Sequence, residues 1–291
     1  MQGVVNRRGV PTPDAENMVA PPDLGRAGAP YLVFQPVVDL GTGRLLGFEA
    51  LVRWSDGSGD PVLPEDLLPW AEANGRMTAL NSWVLSEACA QAASWPSRLQ
   101  LAVNCSIFQL LRCEAAVAAA AALEESGLDP DRLTIEVAES SVADDEAAAH
   151  LSAIARLGIQ LAVDDVVTER PVVGSLHEGI VNTMKIDGTL IAGLSVRGGP
   201  SRDIVETLLT LCRALRLCTV AEAVETAEQV AVLRELGTDV AQGYFFSPPL
   251  SAVAAYALAA MDPLPFFDLT SSRHPVSLRV PVRDSQPDGR G

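Results

Sequence analysis

The stretch LAVDD, residues 161–165, is an apolar run that ends in two adjacent carboxylates, Asp164 and Asp165. An apolar run without polar alternation reads as a strand covered on both faces, as in a parallel sheet with helices packed over it. The acids at its end need an explanation, because a buried and unpaired charge costs several kcal/mol in order of magnitude.

Seven further runs have the same make: LVFQPVV (32–38), LLGFEALVRW (45–54), LQLAVNCS (99–106), LTIEVAES (133–140), TMKID (183–187), CTVAEAVE (218–225) and DVAQGYFF (239–246). Helical patterns separate most of them. PEDLLPWAEANG (64–75) starts on Pro64 and stops at Gly75,. DDEAAAHLSAIARLG (144–158) and TAEQVAVLRELG (226–237) each run from an acidic first turn to a closing glycine,. SRDIVETLLTLCRALRL (201–217) is expected to open on Ser201 as an N-cap,. Eight strands alternating with helices predict an α/β fold, a (β/α)8 TIM-type barrel. The first two runs are joined only by DLGTGR (39–44), too short for a helical crossover. The barrel is therefore expected in a modified form, with an antiparallel first strand.

The ends of the chain differ in composition. Residues 1–29 and 263–291 are rich in Pro, Gly and charge and read as tails around a barrel domain at 30–262,. The chain carries 21 basic and 37 acidic residues, a formal charge of -16, which argues against a nucleic-acid polymer as partner,. Five cysteines without a CxxC pair read as reduced thiols,. No apolar run is long enough for a membrane span or a signal peptide, so a cytoplasmic protein with no membrane partner is expected,.

Each strand holds one residue foreign to a core: Gln35, Glu49, Asn104, Glu136, Asp164 with Asp165, Lys185, Glu222 and Gln242. Strand ends of a barrel converge on one mouth, where active sites lie. The five acids carry -5 when ionised and Lys185 brings the set to -4, which two divalent cations would neutralise. An oxygen-rich set without histidine suits Mg2+ or Mn2+ rather than Zn2+. His150, His177 and His274 fall in helical or loop stretches and are read as incidental. Two such ions, about 3.5–4 Å apart, are a recognised arrangement for phosphoester hydrolysis. Lys185 would orient or deprotonate the attacking water, or neutralise charge on the phosphorane. Glu139, Asp187 and Glu225 lie further out, and for them a supporting role stands beside ordinary strand-end polarity.

QPVVDLGTGRLLGFEALVRW (35–54) resembles the signature of EAL-domain phosphodiesterases, which hydrolyse cyclic di-GMP to linear pGpG; the triplet itself is Glu49-Ala50-Leu51. The blocks VNCS, IEVAES, VDD, KID, AEAVET and QGYFFSPPL follow in the family's order, across roughly residues 30–261. The resemblance implies that Glu49, Asn104, Glu136 and Asp164 hold a first metal ion, and that Asp164 and Asp165, helped by Glu222, hold a second. It assigns Lys185 to the attacking water and Gln242 to fixing that water or the neighbouring phosphate. Gln35, Leu51 and Arg53 would line the dinucleotide groove, and Asp187 and Pro249 would approach a guanine. A homodimer is also implied.

The chain departs from the pattern after Asp165. Family members that hydrolyse efficiently continue Phe-Gly-Thr-Gly-Tyr-Ser-Ser; here residues 166–172 read Val-Val-Thr-Glu-Arg-Pro-Val. Valine at 167 resists the positive φ that glycine allows. The family uses this loop to couple dimer interface and metal site, with a glutamate at the position of Glu139 supporting it. Ala223 stands where the family generally has glycine. Two readings stay open: an active phosphodiesterase with an unusual loop, or a domain that binds cyclic di-GMP or a protein partner without turnover.

Overall fold

The computed structural model describes residues 28–55, 62–96, 98–107, 110, 114–142, 145–166, 180–194 and 199–261, with the side chains at 65, 140, 145 and 165 left aside. The expected tails lie outside the described residues, apart from Gly28 and Ala29. So does the divergent loop beyond Val166, up to residue 179.

Two long strands open the fold, β1 (Ala29–Asp39) and β2 (Leu45–Ser55), paired antiparallel with Gln35 opposite Glu49. The tight turn between them is built from its own residues. The Asp39 carboxylate accepts from the Thr42 amide at 2.6 Å and from its hydroxyl at 2.8 Å, and Gly43 takes a positive φ of 72°,. From β2 onward the sheet is parallel: β3 (Gln100–Asn104), β4 (Leu133–Ala138), β5 (Gln160–Val166), β6 (Thr183–Ile186), β7 (Cys218–Ala221) and β8 (Val240–Ala241). β8 then pairs antiparallel with β1, so the sheet closes. This is the modified α/β barrel expected, with β1 antiparallel to both neighbours. A two-residue strand, β9 (Leu250–Ser251), adds to β1 at Val33 and Phe34.

The helices form the outer layer: α1 (Pro64–Ala73), α2 (Met77–Ser94), α3 (Glu114–Ser126), the short α4 (Glu139–Val142), α5 (Asp145–Ala155), the short α6 (Gly188–Gly193), α7 (Pro200–Leu215), α8 (Ala227–Leu236) and α9 (Ala252–Ala259). Their ends follow local chemistry. Thr226 and Gln229 make a reciprocal capping box at the start of α8, and Gly237 closes it in the left-handed conformation,. The N-cap of α7 is Gly199, two residues before the expected Ser201, because Pro200 fills the first helical position,.

The apolar core lies between barrel and helices. Strand residues facing outward, among them Leu101, Val103, Leu133, Ile135, Leu161, Val163, Met184 and Ile186, are essentially fully buried. Phe34, Phe48 and Trp95 stack edge-on or tilted near the β1–β2 hairpin,. None of the four described cysteines is in a disulfide; burial pushes Cys89 and Cys105 up to about 12, so these thiols are inert,. No described helix is long and apolar enough to cross a membrane.

A backbone strap after β7 is the tightest part of the barrel rim. The Val224 amide donates to the Gln242 carbonyl at 3.0 Å and the Phe245 amide to the Val224 carbonyl at 2.9 Å. A side chain at Gly243 would strike the Val224 backbone at 2.2 Å, so only glycine lets the two segments meet,. Ala223, next in chain to Glu222, is held at φ 47°, which costs a non-glycine residue about 1 kcal/mol or more,. A Cβ on Gly188, at the start of α6, would stand 2.7 Å from the Ala223 Cβ. Gly188→Ala is therefore expected to cost about 1–3 kcal/mol. Ala223→Gly alone should fall within about 1 kcal/mol of the parent, because relief of strain offsets added chain entropy. Urea unfolding of the double variant should recover at least half of the Gly188→Ala loss; purely additive losses would show that the two Cβ atoms do not collide.

Candidate active site at the barrel mouth

Inward-facing strand ends bring polar side chains together above the barrel interior. Glu49 lies in the middle of the long β2, Asn104 closes β3 beside Glu136 of β4 in register, and Asp164 lies near the end of β5. Lys185 comes from β6, while Glu222 and Gln242 directly follow β7 and β8. At the centre is the Lys185 ammonium, 2% exposed. Its Nζ lies 2.7 Å from Glu222 Oε1, 2.8 Å from Glu136 Oε2, 3.2 Å from Asp164 Oδ1 and 3.5 Å from Glu49 Oε2. Two amides complete the cluster. Asn104 donates to Glu49 Oε1 at 2.7 Å; Gln242 donates to Glu49 Oε2 at 2.7 Å and to Glu222 Oε1 at 3.2 Å.

One cation faces four carboxylates here, and the titration of the group follows from that imbalance. Burial works against ionisation of Glu49, but Lys185 and the two amides outweigh it and hold Glu49 below its ordinary value. Glu136 is pushed well above the usual carboxylate range by burial and by Glu49, against the pull of Lys185. Burial raises Glu222 to about 7, with Asp164 adding to it and Lys185 opposing. Lys185 is itself disfavoured as a cation by burial, yet Glu136, Glu49, Glu222 and Asp164 together raise it well above its ordinary value,. Among the described residues no three acidic, histidine or cysteine side chains form a preformed cation cage, because the carboxylates turn to the ammonium.

The other predicted residues take different places. Gln35 is buried and donates to the Ser247 carbonyl at 2.6 Å. Leu51 is half-buried and faces a side cavity; Arg53, also half-buried, donates to the Val52 carbonyl at 2.8 Å. The Asp187 carboxylate caps α6, accepting from the Thr189 amide at 2.8 Å and from its hydroxyl. Pro249 is half-buried just before β9. Glu139 opens α4 directly after β4, half-buried. Glu225 is exposed, and its amide donates to Gln229 at the α8 cap, so the structure draws its backbone rather than its carboxylate into the fold. The Asp165 side chain lies outside the described residues.

Sequence reasoning missed the cavity wall. Beside the carboxylates is a cavity of about 340 Å3 bounded by Leu51, Leu68, Met77 and Asn81 as well as Asn104 and Asp164. Asn81 is buried in α2 and donates to the Ser106 hydroxyl at 3.0 Å. Its one signal was a polar residue within the apolar run MTALNSWVL.

The EAL domain family model matches residues 22–249. The chain belongs to the EAL domain family. The c-di-GMP phosphodiesterase NbdA of Pseudomonas aeruginosa is 33% identical over 245 residues, 80% of this chain and 31% of that one. A structure of the PaMucR phosphodiesterase in complex with c-di-GMP is 31% identical, covers 77% of this chain and 93% of that one, and superposes with a TM-score of 0.73. A calcium and cyclic di-GMP complex of BlrP1 from Klebsiella pneumoniae is 28% identical, with 76% and 56% coverage and a TM-score of 0.68. This EAL chain spans between 27% and 38% of the length of the curated relatives it matches.

The excess of carboxylates makes stability depend on pH when no metal ion is present. Folded Glu222 binds its proton more tightly than unfolded Glu222, at about 7 against 4.5. That contribution is complete below the unfolded value and is lost as pH rises through 7; Glu136 acts in the same direction,. Urea unfolding in chelator should show stability falling between about pH 4.5 and 7, by on the order of 3 kcal/mol. A flat profile would show that the carboxylates are not so crowded. Lys185→Met, which leaves four carboxylates without their cation, should cost about 3–5 kcal/mol at neutral pH and less in acid. A variant equally stable at both pH values would remove Lys185 from the centre of this cluster.

Proposed function

We propose that this EAL domain is a metal-dependent phosphodiesterase that opens cyclic di-GMP to linear pGpG. The observation that carries the reading is the ring of four carboxylates, Glu49 and Glu136 buried and Asp164 and Glu222 half-buried, and two amides around a single ammonium. Its donor chemistry fits hard divalent cations. Protons are held at Glu136 and Glu222 above the usual range, which is where added positive charge would replace them,. Glu49, Asn104, Glu136, Asp164, Asp165 and Glu222 would hold Mg2+ or Mn2+, two ions per site. Such ions, when bound, polarise the phosphate and lower the pKa of a water.

The chain's own groups supply the rest. Lys185, kept protonated by its four carboxylates, donates to the attacking water or to a phosphate oxygen and offsets the charge gathering there,. Gln242, anchored on Glu49 and Glu222, orients the same water. The side cavity at Leu51 offers space for a purine base; Gln35 and Arg53 would contact the dinucleotide elsewhere along the groove, and Asp187 and Pro249 would approach a guanine. Water adds across one P–O3′ bond, the 3′ oxygen leaves as a hydroxyl, and the ring opens. The substitution of Val167 and Glu169 for two loop glycines favours a second reading, binding of cyclic di-GMP without turnover.

Incubation with cyclic di-GMP and Mg2+ or Mn2+, followed by chromatography, should give pGpG only with metal. Glu49→Ala and Asp164→Ala should each abolish turnover while keeping a cooperative unfolding transition; unchanged turnover in either would sink the assignment. Intact cyclic di-GMP that nonetheless binds by calorimetry would establish the second reading.

A further inference from the structure

Barrel interiors of this class are normally filled by layers of large branched side chains. Beneath the carboxylate cluster the inward positions of β2 to β7 are small, with Gly47, Ala102, Thr134, Ala162, Thr183 and Cys218, and the larger Val37, Val220 and Val240 close the wall. Pairing sets them level with or below the functional residues, Ala102 beside Glu49 and Ala162 beside Glu136, with Thr134 next to Ala102 and Thr183 next to Ala162. Gly47 cannot be enlarged, since a Cβ there would stand 2.2 Å from the Gln100 carbonyl. The result is a cavity of about 140 Å3 on the side of the cluster away from the mouth, with Glu136 and Gln242 in its wall.

A cavity lined only by hydrocarbon stays dry, whereas one lined by polar groups holds water. The Thr134 and Thr183 hydroxyls line this cavity and have no hydrogen-bond partner among the described residues. Both threonines are half-buried and belong to the cavity wall. Groups of this kind are satisfied by ordered water when protein offers no partner.

We propose that the cavity is a hydration chamber, holding about four or five water molecules at about 30 Å3 each, bound by Thr134 and Thr183 and reaching Glu136 and Gln242 from behind. It solvates the carboxylate cluster on the face that a ligand at the mouth does not cover. The small residues are then a requirement of the site rather than a packing defect.

A high-resolution crystal structure of the unmodified protein, with a second crystal under xenon pressure, tests this directly. Ordered water on both threonine hydroxyls and no xenon in the cavity is expected. Xenon there without water overturns the proposal. A filling variant, Ala102→Val with Ala162→Val, gives an independent readout in chelator. Displaced water should lower its Tm, and a raised Tm would mark a dry void that gained by being filled. Should the variant fail to fold, the two crystals of the unmodified protein still decide.

Discussion

The barrel mouth is held by one interaction that everything else accommodates: a single ammonium, Lys185, shared by four carboxylates from four strands. Four negative charges and one positive cannot all be buried at ordinary proton affinity. The surplus appears as protons retained by Glu136 and Glu222 and as a lysine that resists deprotonation,. Two amides, from Asn104 and Gln242, pin Glu49, which is held below its ordinary value. A cluster of this sort is weak evidence for stability, because desolvation offsets most of the attraction. Its retention in a buried position makes sense as a site for added positive charge.

Bringing eight strand ends to one ring requires a closed sheet, and closure depends on the first hairpin. β1 runs against β2 and against β8, so it bridges two strands that are themselves parallel. A helical crossover could not do this; a short turn does, with the Asp39 carboxylate and Gly43 forming it. The antiparallel register also sets Gln35 directly opposite Glu49, which carries an extra polar side chain into the mouth. β9 and the Ser247 carbonyl then hold β1 in place from outside.

Much of this was legible in the sequence. The eight apolar runs, the foreign residue in each, and the hairpin all follow from residue type and spacing, since a strand face and a turn are local matters. α2 and α3 were not singled out, because long Ala-rich stretches such as EAAVAAAAALEES lack a clear polar face. The opening of α7 was misplaced by two residues, since serine and proline compete as start signals. In the site, the residues are readable but their relations are not. Nothing in KID or AEAVE says that Lys185 takes the centre, because its partners lie tens of positions away in the chain; the Asp187 cap on Thr189 is local, but the site reading of KID passed over it. Asn81 was hidden in the same way by its apolar neighbours.

The strap at Glu222-Ala223-Val224 shows how tightly position and backbone are linked. As the chain leaves β7 the Glu222 amide donates a hydrogen bond to the Ile186 carbonyl, and the chain then turns through a strained Ala223 so that Val224 can pair with both Gln242 and Phe245. Relaxing that turn would lengthen the path between Glu222 and Gln242, which share a hydrogen bond of 3.2 Å. Strain persists in such a place only where surrounding contacts over-determine it. Here they do: Gly188 on one side and Gly243 on the other leave no room for the strap to drift. The glycines thus act on the chemistry at one remove, by fixing the distance between a carboxylate and an amide that they never touch.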